Sequence, residues 1–205
     1  MALMLLVPAP APQAQTGWYA GGNVGRADAG YAAGDLVSDL AARGWSIDTP
    51  QVDDSDTAYK LYGGFAFSPV LAVEFGWADL GEVVTEYGAT VAPAEIDDLL
   101  ADTFAVHPVL GQGWFVAGVV SWPVMPEQFS LYGRAGLFAW DADIDVRVIS
   151  GGAGRISGDD NGTDWMWGVG LDWRIGTAWS VTAEWERYRL NDWVDVPSVG
   201  LRFRF

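Results

Sequence analysis

The chain has 205 residues, 26 of them glycine and 12 tryptophan, with no cysteine and a formal net charge of −16 at pH 7. The length suits one domain with a sizeable core and is common for all-β sandwiches and barrels. A lack of cysteine excludes disulfides and thiolate metal ligands, and the acidity excludes nucleic acid as a partner, because its phosphates must be met by Lys and Arg.

The opening MALMLLVPAPAPQAQ is an apolar run over 2–7, then Pro and Ala with small residues near Ala14. It reads as the hydrophobic region and cleavage site of a secretory signal over 1–14, without its basic leader, ahead of one domain over 15–205; a disordered Pro/Ala tail is the alternative. No later run reaches about 18 apolar residues, so no transmembrane helix is expected. Strand-like segments follow. GWYAGGNVGRA (17–27) leads into a polar stretch, 28–56, with a short helix expected over 35–43. AYKLYGGFAF (58–67) turns through Ser68 and Pro69 into VLAVEFGWADL (70–80). A second long stretch, 81–112, holds a helical pattern at 93–104 with Pro93 at its start. GWFVAGVVSW (113–122) and FSLYGRAGLFAW (129–140) are joined by PVMPEQ, and a Gly/Asp loop is expected over 141–162. TDWMWGVGLDWR (163–174) meets WSVTAEWERYR (179–189) through IGTA, and NDWVDVP leads to SVGLRFRF (198–205). Eight strands whose connectors alternate between long and short predict an all-β, eight-stranded antiparallel up-and-down barrel.

Side-chain parity sets which face meets which solvent. Lys60, Glu74, Arg134, Asp172, Glu184, Glu186, Arg202 and Arg204 share faces with small residues such as Gly64, Gly76, Gly136 and Gly170. Opposite them lie Leu61 and Phe65, Val73 and Phe75, Leu131 and Leu137, Val169 and Leu171, Val181 and Trp185, and Val199, Leu201, Phe203 and Phe205. Lipid-facing charge costs about 2–4 kcal/mol at the midplane, so this division suits a transmembrane barrel with apolar residues outside. Its interior would hold four cations against four anions, which limits unpaired buried charge, with Glu184 and Glu186 on the preceding strand as candidate partners of Arg202 and Arg204. Glycines opposite charges leave room for long side chains, and the excess acid falls to loops and rims. The fourth strand is apolar on both faces, so its phase is open. Arg187 falls on the lipid side near a loop end, where it could snorkel to headgroup phosphates. Trp18, Trp122, Trp173 and Trp179 at the short-turn end, and Trp77, Trp140, Trp165, Trp185 and Trp193 toward the other, predict two aromatic girdles. A soluble lipocalin-like barrel is the rival, with its large residues inside around a ligand.

WYAGGNVGRA, AYKLYGGFAFSPVLAVEFGWADLGE and the closing GLRFRF resemble the eight-stranded outer-membrane β-barrels similar to the outer membrane protein A transmembrane domain, over roughly 17–205. The resemblance implies the outer membrane of a Gram-negative bacterium, short periplasmic turns and long extracellular loops. It also implies an interior salt-bridge cluster at Lys60, Glu74, Arg134 and Glu184, and a signal for the outer-membrane assembly machinery at Val199, Leu201, Phe203 and Phe205. The periplasmic peptidoglycan-binding domain of larger members is not matched. Expected partners are outer-membrane lipid and lipopolysaccharide, the assembly machinery, and an extracellular ligand held by the loops. The expected role is structural and adhesion-like, with a plugged or narrow polar interior; a small porin-like channel and a lipid A-modifying enzyme are the alternatives.

Chemistry has little to work with. The single histidine, His107, precedes Pro108 and Val109 with no adjacent serine, so no catalytic residue is assigned and a non-enzyme is expected. DADID (141–145) begins like a calcium loop, but Val146 and Gly152 stand where the turn glycine and the bidentate glutamate belong. A solvated acidic loop is expected there, with neither metal nor cofactor.

Overall fold

The computed structural model describes residues 16–89, 91–125, 128–148 and 154–205, with only the backbone of 49, 93, 145, 147, 148 and 154–156. The expected signal segment, 1–14, lies outside the described residues. Eight strands close into a barrel: β1 (Gly17–Asp28), β3 (Ser55–Ala66), β4 (Leu71–Asp79), β6 (Gln112–Met125), β7 (Phe129–Val148), β8 (Gly154–Arg174), β9 (Trp179–Arg189) and β10 (Trp193–Arg204). Every neighbouring pair is antiparallel, and β10 returns to β1 with Gly22 opposite Leu201 and Val24 opposite Val199. Closure leaves the wall without an edge, so every backbone group in the lipid layer has a partner.

Short turns join the strands at the end that holds both termini. Ser68 ties one of them, its Oγ accepting from the backbone N–H of Val70 at 3.2 Å and of Leu71 at 3.0 Å. Alternation is strict along the walls. On β9, Ser180, Thr182, Glu184, Glu186 and Tyr188 are buried inward while Trp179 and Ala183 are exposed. β6, whose phase the sequence left open, turns Phe115, Ala117 and Val119 inward and Trp114, Val116, Val120 and Trp122 outward.

At the opposite end the long connectors fold into a cap. Helix α1 (Ala33–Ala42) buries Leu36 and Leu40, one turn apart, and stops at Gly44, whose φ of +93° favours glycine. Helix α2 (Ile96–Val106), entered through a 3₁₀ turn at Pro93–Glu95, buries Leu99, Leu100 and Thr103. Both helices lie near their expected positions. Two strands inside the expected loops are a correction: β2 (Ile47–Asp53) pairs antiparallel with β5 (Val84–Ala89), and β5 pairs parallel with the outer part of β7. Pro50 removes a ladder donor, and β2 accommodates it as the edge strand of this extension. The expected Gly/Asp loop at 141–162 is likewise largely strand, since β7 and β8 stay paired from Asp141 opposite Asn161 to Val148 opposite Gly154. Because 141–145 runs extended, it does not curl into a calcium loop; Gly152 lies outside the described residues.

Candidate functional site

The barrel interior is a charge network built on six strands. Glu74 of β4, Arg134 of β7 and Glu184 and Glu186 of β9 point inward from neighbouring heights, and Lys60 of β3 completes the group. Arg134 donates to Glu74 at 3.0 Å, Glu184 at 3.2 Å and Glu186 at 2.8 Å. Lys60 reaches Glu186 at 2.6 Å and also contacts Glu184. Toward the termini, Arg202 binds Asp172 at 2.9 Å and Glu74 at 3.5 Å, while Arg204 binds Asp172 at 2.9 Å and Ser180 at 2.5 Å. All eight residues assigned to an interior charge cluster thus occupy one chain of contacts.

Pairing differs from the sequence expectation in one respect. Glu184 and Glu186, candidate partners of Arg202 and Arg204, bind Lys60 and Arg134 instead. Register is the reason: Arg202 stands opposite Ser180, whereas Glu184 stands opposite Ser198, four residues further along β10. At roughly 3.3 Å per residue that separation exceeds an arginine's convenient reach, and Arg202 crosses the lumen instead.

Tyrosines fill the remaining space. Tyr19 stands opposite Gly64, Tyr62 opposite Gly21, and Tyr132 opposite Gly170, each ring lying over the bare glycine of the neighbouring strand. The interior glycines therefore make room for rings, and the rings carry the guanidinium groups: Arg202 lies 5.0 Å from the Tyr19 and Tyr132 centroids and 5.5 Å from that of Tyr62. Hydroxyls add donors, Tyr19 to Glu74 at 2.9 Å and Tyr188 to Glu186 at 3.2 Å, with Tyr132 to Glu184. Tyr62 and Tyr132 share the parity of Lys60 and Arg134 in the sequence, which marks them as inward without showing that tyrosine hydroxyls bind the carboxylates.

Above the network the lumen turns apolar. Phe115, Phe138, Met166 and Tyr188 are buried and continue without interruption into the core of the cap, where Leu80, Leu110, Leu36, Leu40, Leu99 and Tyr87 meet. A void of about 10 Å³ remains beside Lys60 and Tyr188, about the least that one water needs. Below the network, a cavity of about 630 Å³ opens at the termini end, floored by Asp172, Arg202 and Tyr132 and rimmed by Trp18, Arg174 and Phe205. It is a blind vestibule.

Trp140 is a correction to the girdle. It is only 5 % exposed and its indole Nε1 donates to Asp164 at 3.1 Å, because it shares the inward parity of Arg134. Trp18, Trp122, Trp165, Trp173 and Trp179 are exposed on the outer wall, and Trp77 and Trp185 are half-buried there. Val199 and Leu201 are exposed on β10 and Phe205 is exposed just beyond its end, with Phe203 half-buried against Trp179 at 4.9 Å.

In the cap, Asp102 of α2 accepts from the Trp45 indole at 2.7 Å and from Arg43 at 2.8 Å, which ties the two helices and holds its carboxyl below the usual range, chiefly through the Trp45 hydrogen bond. His107 is buried with Nδ1 2.6 Å from the carbonyl of Pro108, and burial pushes its pKa down. Tyr87 meets Thr103 at 2.5 Å under α2.

The family model for the outer membrane protein beta-barrel domain matches residues 1–205. The chain belongs to this family. No curated protein matches the sequence at a significant level. Among solved structures, the N-terminal β-barrel domain of Pseudomonas aeruginosa OprF is 12 % identical with a TM-score of 0.51, covering 93 % of this chain and 100 % of its own. Neisserial surface protein A is also 12 % identical, with a TM-score of 0.50, covering 92 % of this chain and 97 % of its own. At this identity the likeness concerns the fold: a transmembrane barrel of the Gram-negative outer membrane. Membership answers the soluble-barrel rival, since the exposed outer face is the one rich in Leu, Val, Phe and Trp.

Proposed function

We propose that this outer-membrane barrel has a structural and surface-interaction role, with the cap as its working part. One observation carries this reading: the lumen is filled by the charge network and then by an apolar core continuous with the cap, so the loop end presents a folded surface instead of a pore mouth. By the family pattern of short periplasmic turns and long outer connectors, the cap faces the medium. Asp97 and Asp98 on α2 and Asp141 and Asp143 on β7 are exposed there, so the fitting partner is a basic surface. Attachment of cells displaying the wild-type barrel is compared with that of cells displaying a variant in which Asp97, Asp98, Asp141 and Asp143 are changed to Asn. Loss of attachment in the variant supports the role, and equal attachment overturns it.

The channel rival would need a path through Arg134 and Phe138. The enzyme rival would need His107, which is buried against Pro108 and hydrogen-bonds a backbone carbonyl in place of a nucleophile. We further assign Val199, Leu201, Phe203 and Phe205 as the signal read by the assembly machinery. Their exposure along the seam strand supports this, and deletion of Phe205 should slow assembly more than it lowers the stability of the folded barrel.

A further inference from the structure

The vestibule at the termini end has two unlike walls. Its volume of about 630 Å³ exists because the inward positions there are small: Ala66 on β3, Ala72 on β4, Ser121 on β6 and Ser130 on β7, where the network above carries tyrosines and charged side chains. Ala66 stands opposite Ala72, and Ala72 stands opposite Val119. Residues directly opposite one another share a face, so three neighbouring strands present one apolar row at a single height.

Across the lumen, β8, β9 and β10 supply the polar wall. Arg202 is fully engaged there: Nε donates to Tyr62 at 3.2 Å, Nη1 to Asp172 at 2.9 Å and Nη2 to Glu74 at 3.5 Å. Arg204 is anchored and keeps a donor in hand. Its Nη1 donates to Ser180 at 2.5 Å and its Nη2 to Asp172 at 2.9 Å, leaving Nε without a hydrogen-bond partner among the described residues, on a side chain 20 % exposed. Charge is also uneven along the barrel axis. Lys60 and Arg134 face three carboxylates, Glu74, Glu184 and Glu186, whereas Arg202 and Arg204 close on Asp172, with Glu74 only at the far edge of Arg202's reach. The vestibule floor thus holds two arginines against one aspartate. At the rim, Arg174 and a terminal carboxylate on Phe205 would offset one another and leave that balance as it is.

We infer that the vestibule is a binding site for a small amphiphilic carboxylate, its head on Arg204 and its aliphatic body along Ala66, Ala72 and Val119. The arginine offers a charge-assisted donor to the carboxylate, and a single negative charge neutralises the floor. A doubly charged phosphate would overshoot it and meet Asp172 as a like charge. An inorganic ion would leave the apolar row bare, and a neutral alcohol would leave the arginine unmet. The volume lies within the roughly 300–1,000 Å³ of small-molecule sites. The site is at the end away from the cap and is independent of the cap's role.

The test uses the full barrel, refolded into phospholipid nanodiscs with isotope-labelled arginine, and follows the arginine Nε–H resonances by NMR during titration with hexanoate. Loss of one resonance in Arg204→Lys assigns the Arg204 signal. That signal should move to saturation, while those of the outward-facing Arg26, Arg187 and Arg189 stay in place. Acetate, hexanol and hexyl phosphate run in parallel, and each should bind about tenfold more weakly or worse. Ala72→Leu fills the apolar row and leaves every charged group present; it should weaken hexanoate about tenfold and leave acetate unaffected. Heat-dependent gel mobility checks that the variant folds, and should it fail, Ser121→Leu fills the same cavity from β6. An Arg204 signal that hexanoate leaves in place would overturn the inference. So would equal affinity for acetate, which reports an ion on the arginine alone, for hexanol, which reports partition into lipid, or for hexyl phosphate. Unchanged hexanoate affinity in a folded, cavity-filled variant would overturn it as well.

Discussion

Glu74 on β4 and Arg134 on β7 meet at 3.0 Å in the centre of the barrel, across the intervening strand β6. Arg134 also holds Glu184 and Glu186, so its removal leaves three buried carboxylates with Lys60 and Arg202 as their cations. Breaking a buried pair from one side costs about 3–5 kcal/mol, because the desolvated partner stays behind. Arg134→Met should lower the unfolding free energy of the refolded barrel, read from urea titration, by an amount of that order, and adding Glu186→Gln should restore part of it. A loss below about 1 kcal/mol, the range of exposed pairs, would show that the network is more hydrated than its burial indicates.

Tyrosine rings over bare glycines give a second handle. A Cβ at Gly170 would collide with the Tyr132 ring, and through it disturb the hydroxyl on Glu184 and the guanidinium of Arg202. Gly170→Val should destabilise the barrel by about 1–3 kcal/mol, the usual range for overpacking, measured as a fall in the unfolding midpoint. Gly118→Val, where an added Cβ meets nothing and faces outward, should be tolerated.

His107 predicts a pH dependence of the cap. Burial lowers its folded pKa below the ordinary value near 6.5, so the unfolded segment binds a proton more readily than the folded one. Stability from the neutral imidazole is then complete above about pH 6.5 and declines as pH falls below it toward the folded pKa. Protection factors of the α2 amides, taken relative to the intrinsic exchange rate at each pH, should fall between neutral and mildly acidic pH, and His107→Leu should flatten that dependence. An equal fall in the variant would assign it to the carboxylates.

The wall was legible because lipid penalises charge: one misplaced Lys60 or Arg134 would be expensive, so parity alone separated inside from outside. Charge partners were less legible. They depend on register and on reach across the lumen, which is why Arg202 finds Asp172 and Glu74 and not Glu184. Trp140 shows a conflict between two rules, since its parity with Arg134 pointed inward while tryptophan's affinity for interfaces pointed outward; a partner at Asp164 let parity win. The cap was legible only in its helices, where Leu36 and Leu40, or Leu99 and Thr103, repeat at helical spacing. Strand β2 is polar and contains Pro50, and β5 gains its ladder from β7, some 60 residues away in sequence, so neither has a local signal strong enough to mark it.

The closed interior is tested most directly by single-channel recording of the refolded barrel in planar bilayers. With Arg134, Glu74 and Lys60 across the centre and Phe115, Phe138 and Tyr188 above them, wild type should give no resolvable conductance steps, and neither should Arg134→Ala, because the aromatic layer and cap remain. Reproducible steps from the wild-type barrel would contradict the account and make the protein a channel.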